Sequence, residues 1–158
     1  MLLSRRLFIC APLALAACGY RPVNAPGAGG RSLQRRITAE TPVTSDEFLF
    51  FQQVERRVGR GTEADYRLNY SVALDVSALA ISVAGAQNRF QILGRVTFAL
   101  VEDESGAVVL SDTITDFTSY SAAGTTIATF AAEQDARERL MITLADQVVS
   151  RVQAAAPA

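Results

Sequence analysis

The clearest signal in the chain is an alternation of apolar and polar positions that begins at Tyr66. Tyr66, Leu68, Tyr70, Val72, Leu74 and Val76 fall on one side, and Arg67, Asn69, Ser71 and Asp75 on the other. A period of two is that of a strand with one covered face and one wet face. A second such run follows Gly85-Ala86-Gln87-Asn88, with Phe90, Ile92, Val96, Phe98 and Leu100 alternating against Gln91, Arg95 and Thr97. A third runs over 108–120 and is joined to the second by Glu104-Ser105-Gly106, a hairpin-turn composition. Its phase slips between Leu110 and Phe117, which predicts a bulge or a change in the covered face. Consecutive strands of this kind are most simply arranged as an antiparallel meander.

On either side of these strands the period changes to that of a helix. Thr44-Ser45-Asp46-Glu47 has the spacing of a capping box, and Gly59 closes the segment. Phe51, Val54 and Val58 recur at helical spacing with Phe50 beside them, while Glu55, Arg56 and Arg57 lie toward the other side. The run Phe48-Leu49-Phe50-Phe51 is read as a core-packing face rather than a membrane-binding one. A last helix spans about 129–152, with Leu140, Met141, Leu144, Ala145, Val148 and Val152 as its apolar stripe. Residues 32–40, ended by Thr41-Pro42, are compatible with a first strand. The expected order is β-α-β-β-β-α: an α+β domain with two helices on one face of a four-stranded, mostly antiparallel sheet. The other sheet face, carrying Arg67, Asn69, Arg95 and Thr97, is left polar and available.

The N-terminus belongs to no such pattern. Arg5 and Arg6, an apolar run over 7–15 and then Leu15-Ala16-Ala17-Cys18 follow the order of a signal peptide that ends in a lipobox. Small residues before an acceptor thiol predict cleavage between Ala17 and Cys18 and lipidation of Cys18, and the run is too short to span a bilayer. Ser4-Arg5-Arg6-Leu7-Phe8-Ile9 also resembles the twin-arginine motif, so the export route stays open. Gly19 rather than Asp follows the cysteine, which makes outer-membrane sorting, facing the periplasm, the expectation. Residues 18–30 hold two prolines and four glycines and read as a lipidated flexible tether, leaving 31–158 as the folded domain.

Composition narrows the chemistry. There is no histidine, and all 15 basic residues are arginine. His-based acid/base and nucleophile systems, lysine Schiff bases and the usual zinc ligands are therefore absent, and no cofactor or metal motif is present. Without Arg5 and Arg6, thirteen arginines face sixteen carboxylates, a mature charge near −3 that does not suit a nucleic-acid binder. Cys10 leaves with the signal, so the mature domain has neither disulfide nor free thiol. Glu102-Asp103-Glu104 is the densest acidic cluster, but its position before Ser105-Gly106 is that of a solvated turn.

Leu15-Ala16-Ala17-Cys18-Gly19-Tyr20-Arg21-Pro22, the strand-hairpin-strand over 88–120, and Ser119-Tyr120-Ser121 leading into Thr129-Phe130-Ala131-Ala132-Glu133-Gln134-Asp135-Ala136 with Leu144-Ala145-Asp146 together resemble the LPS-assembly lipoprotein family LptE. The resemblance implies a non-enzymatic outer-membrane lipoprotein. It would sit in the β-barrel translocon LptD, help that barrel fold, and help lipopolysaccharide reach the outer leaflet. It also implies contact with lipopolysaccharide, whose phosphates would favour guanidinium groups. Arg67, Arg89 and Arg95, on or beside strands, are the candidates for that contact or for partner contact.

Two further function classes fit the same elements. An auxiliary lipoprotein of an ABC-type lipid or solvent export system would share the anchor and differ in its partner, an inner-membrane complex. A carboxylate-dependent envelope glycan hydrolase would need two acidic groups converging in a cleft about 5 to 10 Å apart.

Overall fold

The structure, a computed structural model, describes residue 33 and residues 35–61, 64–81 and 87–155. The signal sequence, the Ala17/Cys18 cleavage and lipidation site and the tether lie outside the described residues. Six elements follow in order: β1 (Ile37–Ala39), α1 (Ser45–Val58), β2 (Tyr66–Ile81), β3 (Gln87–Glu102), β4 (Val108–Ser121) and α2 (Thr126–Ala155). The sheet has the order β1-β2-β3-β4 and is not closed; β1 runs parallel to β2 and the other neighbours are antiparallel. This is the α+β architecture the sequence pattern predicts.

The first helix forms where its caps dictate. Thr44 holds extended backbone angles, its hydroxyl accepts from the Glu47 amide at 3.2 Å, and the Glu47 carboxylate accepts from the Thr44 amide at 3.1 Å. Asp46 and Glu47 in the first turn and Arg56 and Arg57 in the last complement the helix dipole. Gly59 ends the helix at φ 77°, a left-handed conformation that glycine adopts without a steric penalty.

Even-numbered residues of β2, of β3 and, from Leu110 onward, of β4 face the helices, and odd-numbered ones face away. The core lies between the layers. Leu68, Ile92, Val96, Phe98, Leu100 and Ile114 from the sheet meet Phe50, Val54 and Val58 of α1 and Leu140, Met141, Leu144 and Val148 of α2. Gly94 belongs to the covered face, and a Cβ there would sit 2.8 Å from Leu144 Cδ1 and 3.0 Å from Leu140 Cδ2. Its missing side chain lets α2 approach the sheet closely. Phe50 tilts against Tyr70 with ring centroids 5.0 Å apart, fixing α1 over the start of β2.

Two expectations need correction. The first strand is three residues long rather than nine, because β1 pairs with β2 only from Ile37 to Ala39 before Pro42 and the α1 cap turn the chain away. In β4 the alternation does not slip between Leu110 and Phe117. Its irregularity lies at Val109, since Leu100 faces Leu110 while Val101 faces Val108. The apparent slip comes from Asp112 and Asp116, two carboxylates on the covered face that α2 serves with polar partners. Gln147 Nε2 donates to Asp116 at 2.6 Å, and Arg151 lies 3.6 Å from Asp112.

Candidate functional site

Because both helices take one side of the sheet, the odd-numbered side has no protein layer over it among the described residues. Register defines its composition. Asn69, Ala99 and Ser111 lie side by side, then Ser71, Thr97 and Thr113, then Ala73, Arg95 and Thr115, then Asp75, Leu93 and Phe117, then Ser77, Gln91 and Ser119. Thr97 and Thr113 share a hydroxyl hydrogen bond of 3.2 Å. The surface is rich in hydroxyl and amide groups, with apolar spots at Leu93 and the exposed ring of Phe117, and at Val101 and the exposed Val108 beside Arg67.

All three candidate arginines stand on this face and are exposed. Arg67 lies beside Val101, Arg95 between Ala73 and Thr115, and Arg89 beside Ser121. They form a row and do not converge. Arg89 and Arg95 are six positions apart along β3, and Arg95 is six positions from Val101 opposite Arg67, about 20 Å each at strand rise. Arg67 is engaged within the molecule, donating to Asp103 at 2.6 Å. That contact gives the acidic cluster its role, since Ser105 Oγ donates to Glu102 at 2.6 Å and accepts from the Ala107 amide at 3.1 Å. Glu102 and Asp103 thus help build the β3–β4 turn, with Glu104 exposed within it. Arg89 and Arg95 have no ion-pair partner among the described residues.

Such a face can do one thing well. A flat, hydroxyl-lined sheet with separated guanidinium groups suits contact with another extended polar surface, or with several separate phosphates, rather than enclosure of one small molecule. No helix among the described residues is long and apolar enough to cross a membrane.

Sequence reasoning missed Arg137. It donates to Glu133 at 2.8 Å and to both oxygens of Asp46 at 3.2 Å, tying α2 to the first turn of α1. The Glu133 hydrogen bond, with the two nearby carboxylates, raises the affinity of this guanidinium for its proton against the opposing effect of burial. The i, i+4 spacing from Glu133 was the available signal; its partner 91 positions away was not. Burial, the neighbouring Glu133 charge and a 3.4 Å hydrogen bond to that carboxylate raise the Tyr120 phenol, whose ring stacks on Phe90 at 5.4 Å.

Comparison with known proteins completes the picture. The model of the lipopolysaccharide-assembly family LptE matches residues 20–152. Among solved structures, a protein from Caulobacter crescentus is similar with a TM-score of 0.65 and 23% identity, over 80% of this chain and 94% of that one. A minor lipoprotein from Acinetobacter baumannii is similar at 0.60 and 19%, over 77% and 92%. The rare lipoprotein B of Shewanella oneidensis is similar at 0.58 and 15%, over 75% and 92%. No curated protein matches the sequence significantly.

Proposed function

The chain belongs to the LptE lipopolysaccharide-assembly family, and on that footing we propose that it is a lipid-anchored outer-membrane lipoprotein that seats its open sheet face against the wall of an LptD-like β-barrel. Cys18 carries the lipid after cleavage behind Ala17. The barrel lumen of such translocons is lined by polar residues, because outward-facing positions alternate with them along every strand. The observation that carries this reading is the hydroxyl-rich face of β2, β3 and β4, which no second layer covers among the described residues. In the same reading Arg89 and Arg95 offer guanidinium groups to phosphates of lipopolysaccharide, with Arg67 joining them when it exchanges Asp103 for a ligand.

The proposed role is one of assembly and transport rather than catalysis. The test is affinity purification of the tagged, lipidated chain from detergent-solubilised membranes. A stoichiometric outer-membrane β-barrel protein is the expected companion. An ATPase with an inner-membrane permease would overturn the barrel partnership in favour of the export-auxiliary class.

A further inference from the structure

Five arginines gather at the end of the domain where the chain arrives from its N-terminal segment. Leu33 is buried, and the Arg35 amide donates to the Val58 carbonyl at 2.8 Å, so the first described residues lie against the last turn of α1. That turn carries Arg56 and Arg57, and Arg60 follows Gly59. Two of the five are committed to structure: Arg36 is ion-paired with Asp65, and Arg57 with Asp146 of α2. Arg60 reaches Glu55 at 3.1 Å yet keeps 83% of its side chain exposed. Arg35 and Arg56 are exposed and have no ion-pair partner among the described residues. Arg56 and Arg60 line one shallow groove with Gln52 and Glu55.

Arg35 has a second distinction. Its φ of 66° makes it the one non-glycine residue in the left-handed region among the described residues, where glycine or asparagine would sit without strain. The surroundings accommodate it. A Cβ at Gly59 would come within 3.3 Å of Arg35 Cγ, and one at Gly61 within 2.8 Å of the Arg35 carbonyl oxygen. A charged side chain held in that conformation, with no ion-pair partner among the described residues, is free to meet a partner outside the molecule.

We propose that Arg35, Arg56 and Arg60 form a docking face for the anionic phospholipid headgroups of the leaflet that holds the lipid anchor. The choice of occupant rests on the anchored reading of Cys18. Fourteen residues separate Cys18 from Leu33, a stretch that spans at most about 50 Å when fully extended. The three arginines are at the end of the domain where that stretch arrives. Guanidinium groups match phosphate in charge and geometry. Of the acidic residues of this end, Asp65 and Asp146 are paired with Arg36 and Arg57, Glu55 shares the groove with Arg56 and Arg60, and Glu102, Asp103 and Glu104 belong to the β3–β4 turn on the sheet side. The headgroup-facing side is therefore the helix side, where α1 ends.

The Cys18→Ala chain, exported through an ordinary cleavable signal, is mixed with vesicles of phosphatidylcholine alone or with added phosphatidylglycerol, and binding is read by co-sedimentation. Binding is expected only with phosphatidylglycerol, weakening as salt is raised. Each of Arg35→Gln, Arg56→Gln and Arg60→Gln should lower the affinity about fivefold. Arg35→Gly relieves the backbone conformation, so it should keep the melting temperature while losing the same fivefold, which separates lipid contact from folding. Equal binding to both vesicles, no binding, or a loss produced by Arg89→Gln and Arg95→Gln instead would overturn the proposal. The anchor is checked separately, by whether the unsubstituted chain incorporates labelled fatty acid at Cys18, so failure of one reading is not failure of the other.

Discussion

Replacing Gly94 with valine tests the closeness of helix and sheet on which this fold depends. The Cβ of any residue at 94 would meet Leu144 Cδ1 at 2.8 Å, Leu140 Cδ2 at 3.0 Å and Leu140 Cγ at 3.3 Å. Alanine needs only that the ends of two leucine side chains shift, and the loss of glycine flexibility in the unfolded chain offsets part of the strain. We expect a net destabilisation of about 1 kcal/mol or less for Gly94→Ala. Valine adds two methyl groups in the same place, and overpacking of about 3 kcal/mol less the glycine offset leaves roughly 2 kcal/mol. For a domain of this size that lowers the melting temperature by roughly 8 °C. Urea denaturation followed by far-ultraviolet circular dichroism measures it, the chain having no tryptophan. Leu144→Ala should cost about 3 kcal/mol alone, but combined with Gly94→Val it supplies the missing space, so the pair should be less destabilising than the sum by at least about 1 kcal/mol. Strict additivity, or a Gly94→Val protein as stable as its parent, would refute the close approach.

Thr44→Ala removes the acceptor for the Glu47 amide and should lower stability by about 1 kcal/mol, seen as a shift in the urea midpoint. Burial, with Glu47 and Glu40 nearby, raises the Tyr70 phenol well above its ordinary range. A raised folded value means that stability is intact below about pH 10 and lost as pH climbs past it. Tyr70→Phe loses the hydrogen bond to the Glu40 carbonyl, so at pH 8 it should be less stable than its parent by about 1 kcal/mol, and the gap should narrow above pH 10; a constant gap would contradict the assignment. Reversing Arg67 and Arg95 together to glutamate should weaken capture of the barrel partner or of lipopolysaccharide while changing thermal stability little, since the Arg67–Asp103 pair is a surface one. Cys18→Ala should move the protein from the membrane to the soluble fraction with its circular dichroism spectrum unchanged, because the buried apolar core among the described residues starts at Leu33.

Much of this was legible before any coordinates. The capping box at Thr44 and Glu47 placed α1, and the even-numbered apolar positions placed the covered face of β2 and β3, because both signals are local. What escaped depended on partners distant in sequence. Three residues of β1 cannot display a period, and their parallel pairing with β2 is a tertiary event. Asp112 and Asp116 looked like a break in β4 because the polar groups that receive them lie on α2. Arg67 and Arg95 were legible as members of one face, but the place of Arg89 on it and the engagement of Arg67 by Asp103 were not. Arg35, Arg56 and Arg60 were overlooked as a group, although two of them flank the end of a predicted helix, because the segment that brings Arg35 beside them precedes that helix by many residues.

The two carboxylates on the covered side of β4 have a consequence for proteins confined to a surface. On the proposed lipid anchor the molecule would move in two dimensions, where its copies meet far more often than in free solution, and a fourteen-residue strand at the rim of a sheet is a natural template for another copy's strand. A neighbour extending this sheet past β4 would also have to continue its apolar layer, and Asp112 and Asp116 interrupt that layer with charge. Inward-pointing charge of this kind is how sheets are kept from growing edge to edge. At β4 the two carboxylates thus oppose the addition of a fifth strand from a neighbouring copy.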